Sequence, residues 1–172
     1  MMSETVLNEA KAVKDLQEAF AGESQAFRKY LVFAMKADAE GFKNAAKLFR
    51  AAAEAEAIHA HNHLKALGAV KSTRENLGAA IGGETFEFEK MYPRMIEDAK
   101  AEGHAQALRS FQYAIDSERG HAELFKKALA ALEEKAETSY YVCEVCGYTV
   151  EGDALDECPL CKAKRKAFKK ID

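Results

Sequence analysis

Glu56-Ala57-Ile58-His59 and its echo 62 positions later, Glu118-Arg119-Gly120-His121, are the two stretches that decide the fold. On an α-helix, residues three apart lie near each other on one face, so each stretch presents a carboxylate beside an imidazole. One such pair arises easily by chance on a solvated helix. Two pairs at matching places in the chain predict a shared role, which is the binding of metal ions from facing helices.

These stretches belong to a longer internal repeat. A shift of 62 aligns Tyr30 with Tyr92, Glu40-Gly41 with Glu102-Gly103, Phe49 with Phe111 and Ala66-Leu67 with Ala128-Leu129. A shift of 61 aligns Gly22-Glu23-Ser24 with Gly83-Glu84-Thr85. Alanine- and glutamate-rich helices align with many sequences, but this does not explain the aromatic and Glu-Gly matches. The repeat predicts two helical hairpins related by a pseudo-two-fold axis, with equivalent acids face to face.

Residues 1–137 are predicted to form one mainly α-helical domain, because they are rich in Ala, Glu, Lys and Leu. Candidate breaks lie at Glu40-Gly41, 68–73, Gly82-Gly83 and Glu102-Gly103. They leave room for four helices at about 7–39, 43–67, 75–101 and 105–136. Pro93 should bend the third helix, because proline removes a backbone donor. A buried apolar stripe is expected on the second helix at Ala45, Leu48, Phe49, Ala52 and Ala53.

Composition excludes several classes of protein. The chain has 172 residues, 48% of them hydrophobic and 31% charged, with a formal charge of −3. We therefore expect no general attraction to nucleic acid or to an anionic membrane. No apolar run approaches the roughly 20 residues of a transmembrane helix. The N-terminus lacks the pattern of a signal peptide, so the expected location is cytoplasmic.

Four carboxylates and two imidazoles are the candidate ligands of the helical domain. They are Glu23, Glu56, His59, Glu84, Glu118 and His121. Di-iron and di-manganese helix bundles use one Glu from each of two helices and Glu-x-x-His from each of the other two. These ligand types suit iron or manganese. Without cations, four carboxylates in an apolar interior would carry a prohibitive energy, so they should be metallated or partly protonated.

Three further residues are candidates near these ligands. Glu87 stands one turn after Glu84 and has no acidic counterpart in the first repeat, so it would make the two metal positions unlike. The alternative for Glu87 is a solvated helix acid like Glu89. Tyr30 and Tyr92 follow the single carboxylates by seven and eight residues and are candidates to orient them by hydrogen bonds, or are ordinary core tyrosines.

Residues 138–172 form a predicted second domain. All four cysteines lie there as two Cys-x-x-Cys pairs, Cys143 with Cys146 and Cys158 with Cys161. Two such knuckles give a tetrahedral sulfur site that fits either Zn²⁺ or a single iron. So short a module cannot build an adequate core, and a bound metal would stabilise it.

In its order of motifs the chain resembles the rubrerythrins. The resemblance rests on Gly22-Glu23-Ser24, the two Glu-x-x-His stretches, 83–87 with 91–93, and the two terminal Cys-x-x-Cys pairs. It covers nearly the whole sequence. It implies a ferritin-like four-helix bundle that binds two non-haem irons, followed by a rubredoxin-like domain that binds one iron, or zinc in its place. One departure is Lys162, where rubredoxin knuckles usually have Gly, which bears on knuckle hydrogen bonding and redox potential.

The resemblance also implies an activity, namely peroxidase reduction of hydrogen peroxide to water in oxidative-stress defence. Electrons would come from a redox protein or an NAD(P)H-linked reductase through the iron held by the four cysteines. Glu87 and His59 would exchange as ligands with redox state, and Tyr30 and Tyr92 would hold the ligands. A homodimer is implied, with helical hairpins exchanged between chains in some members. The rivals are a ferroxidase or oxygen reductase on the same bundle, and a non-enzymatic scaffold with a zinc ribbon.

Overall fold

Two helical hairpins and a small three-stranded sheet make up the chain. The computed structural model describes the backbone of residues 3–134 and 137–172, and side chains from residue 11 onward within those ranges. Residues 1–2 of the first predicted domain, and the predicted end of the fourth helix at 136, lie outside the described residues. The described chain forms two compact units, the first ending at Lys71 and the second beginning at Ser72.

The first unit is the hairpin of α1 (Ser3–Ala39) and α2 (Lys43–Ala66). Its turn is at the predicted Glu-Gly break, where Gly41 has φ +85°. The Phe42 N–H donates to the carbonyl of Ala37 at 2.8 Å and the Gly41 N–H to that of Asp38 at 3.1 Å. This is a Schellman motif, whose left-handed residue is usually glycine because a Cβ is disfavoured there.

The hairpin buries a narrow seam of alanines. On α2 the buried residues are Ala46, Ala53 and Ala60, spaced seven apart. Their small side chains let the two helices approach closely. The predicted buried stripe is therefore wrong at Ala45, which is exposed, and at Leu48, which is 70% exposed. Both lie on α2 outside the alanine seam.

The second unit begins with a hairpin that repeats the geometry of the first. Its helices are α3 (Thr73–Phe86), a π-helical turn (Glu87–Met91), α4 (Tyr92–Ala101) and α5 (Ala105–Ala130). Gly103 has φ +67°, and the His104 N–H donates to the carbonyl of Ala99 at 2.9 Å. These are the positions 62 residues after the first turn, so the repeat seen in the sequence is also a repeat of backbone structure.

The third predicted helix differs from expectation in two places. It continues through Gly82-Gly83 without a break, and Glu87–Met91 form an unexpected π-helical turn just before Pro93. The bend expected at Pro93 itself stays a prediction. In the π-helical turn the Tyr92 N–H donates to the carbonyl of Glu87, five residues back. The helix starts from a capping box, in which Ser72 and Glu75 bond each other's backbone N–H groups. The fourth helix ends at Ala130, short of its predicted end.

The second unit also contains the small antiparallel sheet of β1 (Tyr140–Cys143), β2 (Thr149–Glu151) and β3 (Phe168–Ile171), in the order β2-β1-β3. Its core is the cluster of Cys143, Ala154, Cys158 and Phe168. Two of these four residues are cysteines, so the sulfur site occupies the place where a larger domain would have apolar side chains.

The predicted fold class is confirmed. The chain is mainly helical, with two helical hairpins followed by a short strand region that contains the four cysteines. Among the described residues, none of the helices is both long and apolar enough to cross a lipid bilayer.

Candidate metal centres

The first hairpin brings together Glu23 from α1 and Glu56 and His59 from α2. One ligand atom from each of these residues lies within 4.8 Å of the others. The Nδ1 atom of His59 is 2.9 Å from Oε2 of Glu56, as expected for residues three apart on one helix face. The His59 side chain is 53% exposed, and its Nε2 atom has no hydrogen-bond partner in the part of the chain that the structure describes.

The second hairpin assembles the equivalent triad of Glu84 from α3 and Glu118 and His121 from α5. The Nδ1 atom of His121 is 2.7 Å from Oε2 of Glu118 and 3.7 Å from Oε2 of Glu84. Both histidines therefore aim Nδ1 at their carboxylates. His121 is the more buried of the two, with 26% of its side chain exposed.

Electrostatics in the second triad favour a bound cation. Burial raises the pKa of Glu84, and the neighbouring charge of Glu118 raises it further, while His121 lowers it. Two carboxylates held this close disfavour each other's ionisation unless a positive charge lies between them. Two oxygen ligands and one imidazole nitrogen fit iron or manganese, so the residues present match the expected metal.

Glu87 lies beside this triad without joining its cluster of ligand atoms. It begins the π-helical turn and is partly buried. Burial raises its pKa first, and the charge of Glu84 raises it further. The turn is tied to α5, because the Arg119 guanidinium stacks over the Phe88 ring at 5.7 Å. The structure thus puts a fifth carboxylate within electrostatic reach of the second triad, and its role as a ligand stays a prediction.

The two predicted tyrosines occupy matching places in the two hairpins. Tyr30 packs on Phe49 and Tyr92 packs on Phe111, each with ring centroids 6.2 Å apart. Burial raises the pKa of Tyr92, followed by the charges of Glu118, Glu87 and Glu84. No hydrogen bond joins either hydroxyl to a triad carboxylate within residues 11–134 and 137–172. The orienting role predicted for both therefore stays a prediction.

The four cysteines form one cluster. Their Sγ atoms lie within 4.8 Å of one another, with Cys143 3.6 Å from Cys161 and Cys146 3.5 Å from Cys158. These separations are far from the roughly 2.05 Å of a disulfide. They approach the edge of about 3.8 Å that a tetrahedron with metal–sulfur bonds of about 2.3 Å requires. The cluster therefore fits a tetrahedral metal ion.

Backbone N–H groups point at these sulfurs. Burial alone would raise the pKa of Cys158, but N–H groups of Cys161 and Leu160 that bond its sulfur lower it. Burial raises the pKa of Cys146 and outweighs the N–H of Tyr148. A buried thiol of this kind becomes a thiolate when a metal replaces its proton. N–H···S bonds are also one of the means by which proteins set the potential of an iron held by four cysteines.

Lys162 keeps the knuckle geometry despite replacing the usual glycine. Its φ is +63°, against +83° for Gly147 at the matching place in the first knuckle. The Lys162 N–H donates to the carbonyl of Cys158 at 3.0 Å, as the Gly147 N–H does to that of Cys143 at 2.9 Å. The departure therefore leaves the backbone hydrogen bond of the turn in place, at the cost of a lysine in the left-handed region.

Two contacts between α5 and the cysteine region were not foreseen from the sequence. The buried Ser117 hydroxyl of α5 donates to the carbonyl of Cys146 at 3.1 Å, and Nε2 of His121 lies 2.9 Å from Oγ1 of Thr149 on β2. The cysteine module, residues 138–172, is thus docked on the helix that carries Glu118 and His121. These pairs are 29 and 28 residues apart, and no local pattern predicts such contacts.

Comparison with known protein families agrees with this arrangement. Residues 14–129 match the family model described as rubrerythrin, and residues 141–169 match the rubredoxin-like domain of rubrerythrin. The chain belongs to the rubrerythrin family. Rubrerythrin-2 of Clostridium acetobutylicum is 35% identical over 89% of this chain and 92% of its own length. Nigerythrin of Nitratidesulfovibrio vulgaris is 29% identical over 98% of this chain and 90% of its own length.

Solved structures of rubrerythrin relatives give the same result. A mixed-valence state of nigerythrin matches with a TM-score of 0.58 and 30% identity, covering 92% of this chain and 86% of that one. Its fully reduced, all-ferrous state matches equally well, with 29% identity. Rubrerythrins are oxidoreductases of oxidative-stress defence that bind two irons in the helical bundle and one at the rubredoxin-like four-cysteine site. They draw electrons from redox partners.

Proposed function

We propose that this rubrerythrin is a peroxidase that reduces hydrogen peroxide to water, with electrons delivered through the iron of its four-cysteine site. The reaction consumes two electrons and two protons for each peroxide and forms two water molecules. Within this proposal, residues 1–137 form the di-iron domain and residues 138–172 the rubredoxin-like domain. The metal ligands are the residues of the two triads, Glu87, and the four cysteines.

The observation that carries the proposal is the contact of the cysteine module with α5. Ser117 and His121, on the helix that supplies two triad residues, hydrogen-bond Cys146 and Thr149 of the module. Electron transfer between two metal centres is favoured when the domains that hold them are in contact. A ferroxidase does not require electrons from a second metal centre, and a zinc ribbon that binds a partner does not require a contact with a metal ligand of the bundle.

The residues of the chain have separate tasks in this reaction. When bound by the triads, iron would supply the two electrons that break the O–O bond. Glu84 and Glu118 would hold it through carboxylate oxygens, and in the reduced protein His59 and His121 would hold it through Nδ1. Glu87 would place a further negative charge where positive charge increases on oxidation. It would replace His59, whose side chain is exposed and hydrogen-bonded through Nδ1 alone.

Tyr30 and Tyr92 would orient the carboxylate ligands through their hydroxyl groups. Each phenol packs on a phenylalanine of the neighbouring helix, which restricts where its hydroxyl can lie. From there the hydroxyls would bond the carboxylates and keep water from approaching freely. Within this proposal both phenols belong to the catalytic machinery, together with Glu87 and His59.

We also propose a cytoplasmic homodimer that receives electrons from a redox protein or an NAD(P)H-linked reductase. The first hairpin leaves large apolar side chains exposed, namely Val32, Phe33, Met35, Leu48 and Ile58. Apolar surface of this kind favours burial against another chain, including by exchange of hairpins. Light scattering with size-exclusion chromatography should give twice the chain mass.

The test of the peroxidase proposal is stopped-flow oxidation of the anaerobically reduced, iron-loaded protein. We expect hydrogen peroxide to oxidise it much faster than dioxygen does. Faster oxidation by dioxygen would assign the protein to the ferroxidases or oxygen reductases instead. Metal analysis after anaerobic iron loading tests the remaining alternative, a non-enzymatic scaffold with a zinc ribbon. If the four-cysteine site binds only zinc, it cannot transfer electrons, and that alternative is supported.

A further inference from the structure

The second nitrogen of His121 is held by a residue of the cysteine module. Nδ1 of this histidine faces Glu118 and Glu84, while Nε2 lies 2.9 Å from Oγ1 of Thr149 on β2. The Thr149 hydroxyl in turn donates to the carbonyl of Gly147 at 3.1 Å. The imidazole is therefore fixed at both nitrogens.

We propose that Thr149 is a positioning residue for His121, so that the cysteine module completes the support of a metal ligand in the helical domain. The inference rests on the proposed function only in requiring that the second triad binds a metal. Neither the peroxidase reaction nor the identity of the electron donor enters it.

The chemistry of the hydrogen bonds sets the direction of each one. A metal on Nδ1 leaves the single imidazole hydrogen on Nε2, which must donate. Oγ1 of Thr149 accepts that hydrogen, and its own hydrogen is already directed to the Gly147 carbonyl. A threonine hydroxyl with its hydrogen committed elsewhere is an acceptor only. It therefore selects the tautomer that presents a lone pair at Nδ1 to the metal.

The matching histidine of the first triad lacks this support. Nε2 of His59 has no hydrogen-bond partner among the described residues, and its side chain is 53% exposed against 26% for His121. The internal repeat thus contains one anchored and one unanchored imidazole. This difference comes from the cysteine module, because Thr149 belongs to that module and has no counterpart in the first hairpin.

The contact also couples the two metal sites of the second unit. Gly147, whose carbonyl accepts the Thr149 hydroxyl, directly follows Cys146, and the Cys146 carbonyl accepts a hydrogen bond from Ser117. Support of His121 therefore depends on the docked knuckle. If docking raises the metal affinity of the triad by a given factor, metal binding must raise the equilibrium constant for docking by the same factor, by thermodynamic reciprocity.

Proton NMR of the full chain, with zinc in the four-cysteine site and Co²⁺ in the triads, tests the proposal. Each Co²⁺-bound histidine gives one paramagnetically shifted, exchangeable Nε2–H signal. We expect one signal that exchanges slowly with solvent, from His121, and one that exchanges fast, from His59. Two signals with equal exchange rates in the wild-type protein would overturn the proposal before any variant is made.

Three variants complete the test. Thr149→Val keeps the shape and β-propensity but removes the hydroxyl, so the slow signal should become fast and Co²⁺ affinity at one site should fall about 10- to 100-fold. Thr149→Ser should restore both. Thr138→Val, the same change at an exposed threonine, should alter neither. A slow signal and unchanged affinity in Thr149→Val refute the inference, whereas a wild-type protein whose triads bind no Co²⁺ refutes the metal site itself.

Discussion

Replacing Lys162 by glycine, and Gly147 by lysine, is the sharpest test of the backbone geometry around the four cysteines. Lys162 and Gly147 occupy equivalent left-handed positions, with φ of +63° and +83°. A side chain in that region costs about 1–2 kcal/mol relative to its ordinary conformation. Replacing Lys162 by glycine removes this strain, but it also gives the unfolded chain more freedom, worth about 0.4–1 kcal/mol. The net gain should be about 0.5–1 kcal/mol.

The reverse substitution at the first knuckle should lose at least as much. Gly147→Lys adds the backbone strain, and a Cβ at this position would contact the Ser117 hydroxyl at 3.6 Å. That distance is an ordinary van der Waals contact, but the remaining atoms of a lysine side chain would also have to fit between the knuckle and α5. We therefore expect a loss of at least about 0.5–1 kcal/mol.

Competitive Co²⁺ titration of the four-cysteine site in the full chain measures both changes, because metal affinity here includes the folding of the module. At about 1.4 kcal/mol for each tenfold change, Lys162→Gly should bind Co²⁺ about two- to fivefold more tightly, and Gly147→Lys at least that much more weakly. Lys164→Gly is the control, since Lys164 has φ −77° and pairs with Glu157 at 2.5 Å. It should bind no more tightly than wild type. Weaker binding by Lys162→Gly would refute the strain argument.

Three other variants probe the helical domain. Glu87→Ala should keep both irons but lose peroxidase turnover, whereas Glu89→Ala, an exposed acid two residues on, should not; equal turnover in both would make Glu87 a bystander. Because the pKa of Glu84 is raised in the folded state, the metal-free protein loses stability as pH rises above about 4.5. The Tm of metal-free Glu84→Gln should therefore exceed that of the wild type by an amount that grows with pH. Once iron is added, the variant should have the lower Tm. A metal-free melting difference that shrinks with pH would contradict the shift. Ala53→Leu should destabilise the first hairpin by about 1–3 kcal/mol, seen as a lower Tm, because that position is fully buried; an unchanged Tm would show that the seam is loose.

Periodic and repeated features were predictable from the sequence. The start of the second helix at Lys43, its end near Ala66 and the paired Glu-x-x-His stretches follow from helical spacing, from glycine at the turns and from the shift of 62. The two knuckles follow from cysteine spacing. These are local signals, and each is set by residues within a few turns of one another.

Contacts between distant segments were not predictable. Ser117 and Thr149 look like ordinary polar residues in the sequence, and only the docking of the module on α5 gives them partners. Exposure of Leu48 was missed for a related reason. Periodicity shows that a helix has an apolar face, but it does not show which part of that face its own hairpin covers and which part is left for another surface.

The π-helical turn, by contrast, has a signal in the sequence. The repeat aligns at a shift of 61 as far as Glu84 and at 62 from Tyr92, so the second copy has one extra residue between them. A π turn absorbs one residue inside a helix without unwinding the rest, and the structure has it at Glu87–Met91, within that interval. The insertion preserves the matching ends, since Tyr92 still packs on Phe111 as Tyr30 packs on Phe49. It also changes the direction of the residues within the turn. Glu87, the acid without a counterpart in the first copy, is the residue at which that turn begins, so both differences of the second hairpin lie in the same short interval.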